Sequence, residues 1–562
     1  MNMVLPLTLF VAANPLLGTV LILLPILLAL YLLVFRRWSA DKVGVAAFLL
    51  GFFIAILCFG TNPILAVLAS VAGIIASFPI SLMVITSILM ITYMMRTGAL
   101  ARITVFFKTL GSGNKAIQIM LINVGLGLFL VGLGATPVSM LPPVMIAMGF
   151  SPLVSVMLPS IGYDPLTTYA LLGIPVLVFS DVVPGDYWAS RYPGVEPLFM
   201  SGHIFSLYMP FVATGIALAM LWLAGGRKLL FNREAVGLAL ATGIIAGMVC
   251  YFCNLIWVGY TTLTNIFAGL AVIGAMLAYS KLRGLRLVDK SILTEEDQPV
   301  IESMSLLQAM APWLILIFFC FFVNLVPPIY DLFFNVLTFP ITIGIITINT
   351  RFLWNAYFWV LIATLLAILI DAFIARSQNR SSKFNVEIRE TLITWVRRVW
   401  RPFLSASIFF ALAYILIYSG SVIAADGSWL RASDFIPEWN MIYVLSLITA
   451  VSFGPLYPIT AAFLGLIGGF VSGSETSTIV MFQPYHQLTA SAIGAQPLIV
   501  GASSGIGGGL ASVLSPAKLQ NAAAVIDAKG MEGQVMRKAL PVILLVTIVV
   551  AILAFFWGYF IP

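Results

Sequence analysis

Apolar runs long enough to cross a bilayer as helices, roughly 17 to 25 residues, recur along this chain: Leu16 to Phe35, Val43 to Gly60, Ile204 to Ala224, Leu263 to Ser280, Ser305 to Val326, Trp354 to Ala375, Pro402 to Ala424 and Leu540 to Ile561. They dictate an all-α polytopic membrane fold. Of 562 residues, 61% are hydrophobic and 9% charged, where a soluble domain carries about a quarter charged; mean hydropathy is +1.09. The longest polar segments, Lys281 to Met304 and Arg376 to Arg401, are too short to bury a core of their own. The amino-terminal run lacks a basic stretch before it and a small-residue cleavage site, so it reads as a retained helix. Cys58, Cys250, Cys253 and Cys320 all lie in apolar segments. Cys250 and Cys253 form a C-x-x-C without a second pair or a nearby His, which reads as helix packing, and no cofactor or metal is expected.

A net charge of +7 raises the question of nucleic acid, but its distribution is topological. Of 28 Lys and Arg, 25 fall in six clusters, at 36–42, 96–115, 227–233, 281–290, 376–401 and 518–538. The positive-inside rule makes these clusters cytoplasmic and turns the loops at 181–203, 327–339 and 425–440 outward, with both termini outside. The expected location is the inner (plasma) membrane of a cell.

With the sides set, the glycine-rich segments become informative. "AIQIMLINVGLGLFLVGLGATPVSMLPPVMIAMGF" is too long for one span and is broken near Gly132, Gly134 and Pro137, so it should turn back. A second pass, "PSIGYDPLTTYALLGIP", breaks around Asp164 at Gly162 and Pro165. From the other face, "ITAAFLGLIGGFVSGSETSTIVMFQPYHQL" reads as a hairpin with its tip at Gly473 to Thr478, and "QPLIVGASSGIGGGLASVLSP" as the interrupted helix after it. The two halves share a frame: Phe129-x-x-Gly132 with Phe470-x-x-Gly473, and Gly149-x-x-Pro152-Leu153 with Gly494-x-x-Pro497-Leu498. Gly132 to Pro175 and Gly473 to Pro516 are each 43 residues. Two hairpins from opposite leaflets, each followed by a broken helix, form the inverted-repeat pattern of secondary transporters. About 12–14 membrane segments are expected, with re-entrant hairpins among them. Close packing by small residues is the alternative for the same glycines.

"LIVGASSGIGGGLASVL" also imitates a dinucleotide-binding turn, with Asp527 about 20 positions on, but no βα pattern surrounds it. "GASSG" matches the nucleophile elbow G-x-S-x-G and fails for want of the same sheet. An intramembrane enzyme would need H-E-x-x-H, paired Cys/His sites or a Ser–His arrangement, and none is legible. There is no P-loop to drive transport by ATP.

"GSETST" at Gly473 to Thr478 resembles the G-S-D-T-S-S of the bacterial lactate permeases, a family that also carries glycolate, and "GIGGGLASVLSP" is similar to its G-G-V-T-G-K-M-I-S-P. "LLQAMAPWLILI", "LVPPI" and "LLGIPVLV" extend the resemblance over most of the chain. The resemblance implies a proton-linked importer of small 2-hydroxy monocarboxylates with an elevator-type fold. Where the family has E-G-A-A-G-F-G this chain has "VGLGATP" at Val131 to Pro137, and where it has N-T-A-P this chain has "GYDP" at Gly162 to Pro165, so the acidic group has moved. The family's lysine is replaced by Ser512, with Lys518 two residues past Pro516.

A carboxylate substrate can be satisfied in the membrane by the free N–H groups at helix amino-terminal ends. Substrate binding is therefore assigned to Gly134, Ala135 and Thr136 at the first tip, Ser474, Thr476 and Ser477 at the second, and Ser503, Ser504 and Gly505 on the interrupted helix; simple capping is the alternative for each. Intramembrane ionisable groups are functional candidates, and Asp164 and Glu475, at the breaks, are assigned to coupling. Asp371 reads as snorkelling to water. Arg351 follows an apolar segment, Pro340 to Thr350, that dips in from outside, and is either an anchor or a partner for a carboxylate. His203 and His486, near outward ends, support no proton relay.

The expected organisation is 1–114 as amino-terminal helices, 115–180 as hairpin and broken helix of repeat 1, 204–326 as central scaffold, 340–424 as the start of repeat 2, 441–518 as its hairpin and broken helix, and 540–562 as the last span. The partners are a small organic anion, H⁺ with Na⁺ as rival, and the lipid bilayer. Nucleic acid is excluded, and a second copy of the chain is an open candidate.

Overall fold

A computed structural model describes residues 4–110, 114–135, 137–162, 164–424, 426, 428–430, 436–528 and 530–561. Helices α1 (Pro15–Val34), α2 (Ala40–Cys58), α3 (Pro63–Ala76), α4 (Phe78–Arg96) and the amphipathic α5 (Ala99–Lys108) precede the first hairpin. Its arms are α6 (Lys115–Gly132), whose middle widens into a π-helix over Ile119–Leu126, and α7 (Pro137–Ala147). Next come α8 (Pro152–Ile161), a 3₁₀ turn over Asp164–Tyr169, and α9 (Ala170–Val182). Long helices α10 (Pro197–Leu230), α11 (Arg233–Ile256), α12 (Val258–Leu282) and α13 (Leu306–Leu325) form the centre. They are followed by a β-hairpin (β1 Phe339–Ile343, β2 Ile346–Thr350), α14 (Ala356–Ser377) and α15 (Ser381–Tyr418). The last third holds α16 (Met441–Phe453), α17 (Tyr457–Ser472), α18 (Glu475–Ala492), α19 (Pro497–Ala511), α20 (Pro516–Val525) and α21 (Glu532–Phe560). Among the described residues, thirteen segments are long and apolar enough to cross a membrane, within the expected range.

The helix starts follow from local chemistry. Proline, which needs no N–H partner, opens α1, α3, α8, α10 and α19. Side chains cap others: Asn232 accepts from Ala235 N at 3.0 Å, and Ser305 from Gln308 N at 3.2 Å. Between helices, contact is made through glycine. Gly243 and Gly247 of α11 receive the backbone of Thr214 and Pro210 of α10, and Gly73 of α3 receives the Phe410–Ala411 backbone of α15. Lipid gives apolar side chains no reason to associate, so such close approaches carry the packing.

Three segments take a form the sequence did not announce. The apolar segment 340–350 folds as two strands. They alternate Ile and Thr, a β-branched period of two, and pair antiparallel from Phe339 opposite Thr350 to Ile343 opposite Ile346. Arg351, at the end of that hairpin, takes the pairing alternative: its guanidinium donates to Asp181 at 3.1 and 3.2 Å and lies 4.3 Å from the centre of the Phe334 ring. The span drawn at 402–424 is the end of a helix that already begins at Ser381, in the polar segment, and stops at Tyr418. Third, "GASSGIGGG" is not a break: α19 is continuous from Pro497 to Ala511, and the interruption falls after it, at 512–515.

Candidate functional site

Both expected tips are real folds of the backbone. On the first arm the Asn123 amide donates to Met145 Sδ at 3.3 Å, so α6 and α7 run back along each other. On the second, Gly468 lies against Thr478 and Phe482, so α17 and α18 do the same. Gly473 makes the second reversal at φ +68°, and Gly134 the first at φ +84°, a conformation that costs glycine nothing. Gly149 and Gly494 end the returning arms, also left-handed at +82° and +71°, and each precedes a helix that begins with proline.

The second tip is built by serine and threonine. Ser474 caps α18, its Oγ accepting from Ser477 N at 3.3 Å, while Ser472 Oγ donates to the Ser474 carbonyl at 3.0 Å and Thr478 Oγ1 to the same carbonyl at 2.9 Å. This places Glu475 as the first residue of α18, where the helix dipole favours a negative charge. It is 3% exposed. Thr168 Oγ1, from the 3₁₀ turn of the first half, donates to Glu475 Oε1 at 2.6 Å. Glu475 Oε2 is buried and has no hydrogen-bond partner among the described residues.

Glycine on α19 makes room for this carboxylate. A methyl group at Gly509 would lie 2.5 Å from Glu475 Oε2 and 3.3 Å from Thr167 Cβ. One and two turns earlier, Gly505 faces Ile479 and Gly501 faces the buried Gln483 amide. Another face of α19 meets α17 at backbone distance, Gly465 against Ser504 and Gly469 against Gly508. The glycines that imitated a dinucleotide turn are therefore two stripes of close contact.

The assigned residues separate into groups. Ser474, Thr476, Ser477 and Glu475 gather at the second tip; Thr476 and Ser477 are buried, and Ser477 Oγ has no partner among the described residues. Ser503 Oγ donates back to the Val500 carbonyl at 2.7 Å. Ser504 and Gly505 sit in the middle of α19, on the faces toward α17 and α18. Gly134 lies beside Met83 and Ser87 of α4 and Leu171 of α9; Ala135 is buried next to it, and Thr136 lies outside the described residues. Asp164 is buried at the start of the 3₁₀ turn, its carbonyl accepting from Thr167 Oγ1 at 3.0 Å. That turn is what brings the first half against Glu475.

Behind the turn, Leu171, Leu172 and Gly173 are consecutively left-handed, a conformation costing roughly 1–2 kcal/mol for each leucine, and Gly173 packs on Thr262 of α12. Sequence reasoning missed Thr167 and Thr168; the signal was two hydroxyls immediately after the Asp164–Pro165 break. The other ionisable candidate, Asp371, accepts from Tyr93 and from Gln308 at 2.8 Å. His486 is buried inside α18 against Tyr457, 2.5 Å from its hydroxyl. Among the described residues no three of His, Cys, Asp and Glu gather as a metal-ligand set.

The family model of L-lactate permease matches residues 18–561, nearly the whole chain. The chain belongs to the L-lactate permease family. It is 23% identical over 578 positions to the glycolate permease GlcA of Escherichia coli (strain K12), covering 96% of this chain and 95% of that one. It is 22% identical over 587 positions to the L-lactate permease of Bacillus subtilis (strain 168), covering 97% and 96%. End-to-end coverage assigns this L-lactate permease family member to multi-pass membrane transport, with both hairpins and the Thr168–Glu475 contact inside the matched region.

Proposed function

We propose that this permease imports a small 2-hydroxy monocarboxylate, lactate or glycolate, together with a proton. The observation that carries the reading is a carboxylate, Glu475, buried at a hairpin tip and held by a hydroxyl from the other half of the chain. Buried at that depth, a lone carboxylate is costly when charged, which suits a group that takes and releases a proton with its cargo. The names of the two relatives support the substrate class.

In this reading the segments 115–180 and 441–518 are inverted repeats that enter from opposite leaflets and move as an elevator against a scaffold that includes the amino-terminal helices and 204–326. The protein sits in the plasma membrane with both termini outside, as a monomer or a pair. Matching left-handed glycines at 149 and 494, each before a proline-initiated helix, support the repeat.

Counterflow into proteoliposomes, run with lactate, glycolate, pyruvate, dicarboxylates and short sulfonates, tests the substrate. Accumulation of lactate or glycolate under an inward proton gradient without Na⁺ is expected. Accumulation that requires Na⁺ moves the coupling to backbone carbonyls at the breaks, and transport of dicarboxylates alone overturns the substrate class.

A further inference from the structure

Thr168, which donates to Glu475, is followed by a tyrosine that reaches the other way. Tyr169 closes the 3₁₀ turn Asp164–Tyr169 and is fully buried. At three residues per turn, neighbours on a 3₁₀ helix point about 120° apart, and the two hydroxyls part accordingly. Thr168 Oγ1 goes to the carboxylate on α18, and Tyr169 donates to the Gly202 carbonyl of α10 at 2.5 Å. One short turn thus spans from the second tip to a central helix, packing on α12 and α19 as well.

The acceptor belongs to a close-packed wall. Gly202 is seated so tightly on α11 and α12 that a methyl group there would come 2.3 Å from Asn254 Oδ1 and 2.6 Å from Thr261 Cγ2. Asn254 is itself fixed, its amide donating to the Cys250 carbonyl at 2.8 Å and to Thr264 Oγ1 at 3.2 Å. On its own chain the turn is irregular. Leu166 departs from helical geometry at φ −134° and ψ 36°, and beyond Tyr169 the left-handed Leu171, Leu172 and Gly173 separate the turn from the regular part of α9. With such backbone on both sides, the direction in which Thr168 points depends on what the turn is fastened to.

We propose that Tyr169 is a positioning residue for Glu475: its hydroxyl fastens the turn to α10 and so holds Thr168 at hydrogen-bond distance from the carboxylate. The role rests on the proton-linked uptake proposed above, in which Glu475 takes and releases the proton. Tyr169 acts through Thr168, so removing its hydroxyl matters only while Thr168 has its own. A second buried tyrosine provides the comparison. Tyr208 of α10 donates to the Ile499 carbonyl of α19 at 3.0 Å and is as fully buried as Tyr169, but its acceptor lies about 15 Å along α19 from Gly509, the residue beside Glu475.

Initial rates of proton-driven lactate and glycolate uptake by the full-length protein in proteoliposomes, arranged as a double-mutant cycle, test this. Tyr169→Phe keeps the ring and should lower kcat/KM roughly three- to tenfold in the parent, but by less than about twofold in Thr168→Val. Tyr208→Phe should change it by the same factor in both backgrounds. Equal losses for Tyr169→Phe in the two backgrounds, parental rates in Tyr169→Phe, or a Tyr208→Phe loss that also vanishes in Thr168→Val, overturn the inference. So does a Tyr169→Phe protein that no longer folds, as read by thermal unfolding, since the hydroxyl then serves the fold and not the site. A parent that accumulates neither acid under a proton gradient overturns the transport reading itself.

Discussion

Thr168 and Glu475 are 307 positions apart and joined by a 2.6 Å hydrogen bond in the protein interior. Hydrogen bonds to charged groups contribute about 1.5–3 kcal/mol. Thr168→Val, which keeps the shape and removes the donor, should lower the kcat/KM of proton-driven uptake by roughly 10- to 100-fold, while Thr168→Ser stays near the parent. Initial uptake rates in proteoliposomes, with thermal unfolding as a control for folding, check this.

Glu475→Gln should mimic the protonated carboxyl. Net accumulation driven by a pH gradient is lost, while exchange of labelled for unlabelled substrate survives, because exchange needs no return of the empty carrier. Asp164→Asn belongs in the same experiment, since Asp164 opens the turn that carries Thr168. If both variants keep pH-driven accumulation and the parent needs Na⁺, the proton mechanism is wrong.

Gly509→Ala should abolish uptake and lower the melting temperature in detergent, because the new methyl group occupies the space beside Glu475 Oε2. Gly274→Ala is the matched control. It lies inside α12, where an added methyl group meets nothing within 4 Å, and alanine favours a helix over glycine by up to about 1 kcal/mol, so stability should hold or rise.

The basic clusters make a labelling prediction. Single cysteines replacing Asn232 and Asn379, both exposed, should react with an impermeant maleimide only from the cytoplasm, and those replacing Gly194 and Ser428, also exposed, only from outside. Cytoplasmic labelling at position 194 would undo the opposite entry of the two hairpins.

Lys108 of α5 and Asp297 of the 281–304 segment meet at 2.8 Å. Burial pushes the Asp297 carboxyl up, but Lys108 and the Thr294 hydrogen bonds outweigh it and hold the group below the usual range. The contact therefore stabilises the fold fully above the unfolded value, about 3.9, and fades as pH falls through the folded one. Lys108→Met should lower the melting temperature at neutral pH, and its gap to the parent should narrow below about pH 4.

How far the sequence was legible depended on the kind of contact. The spans were legible because uninterrupted apolar length is a one-dimensional signal, and both hairpin tips because Gly473 and Gly134 mark backbone reversals that other residues resist. Glu475 stood out as an acid in an apolar stretch. Its partner did not: Thr168 looks like any helix hydroxyl until the turn at Asp164–Tyr169 is folded against α18. Glycine carried two meanings that composition cannot separate. At 473 it permits a positive φ, and at 501, 505 and 509 it admits a neighbouring side chain, which is why α19 read as a break. The hairpin at 339–350 was hidden by apolar content, although its Ile–Thr alternation was there to be counted.

The interlock of α17, α18 and α19 bears on inhibition. Where Gly465 and Gly469 meet Ser504 and Gly508, and where Gly501 and Gly509 meet α18, there is no room for a methyl group, still less for a drug fragment. A compound aimed at Glu475 cannot enter along these seams, and resistance substitutions should leave their glycines untouched.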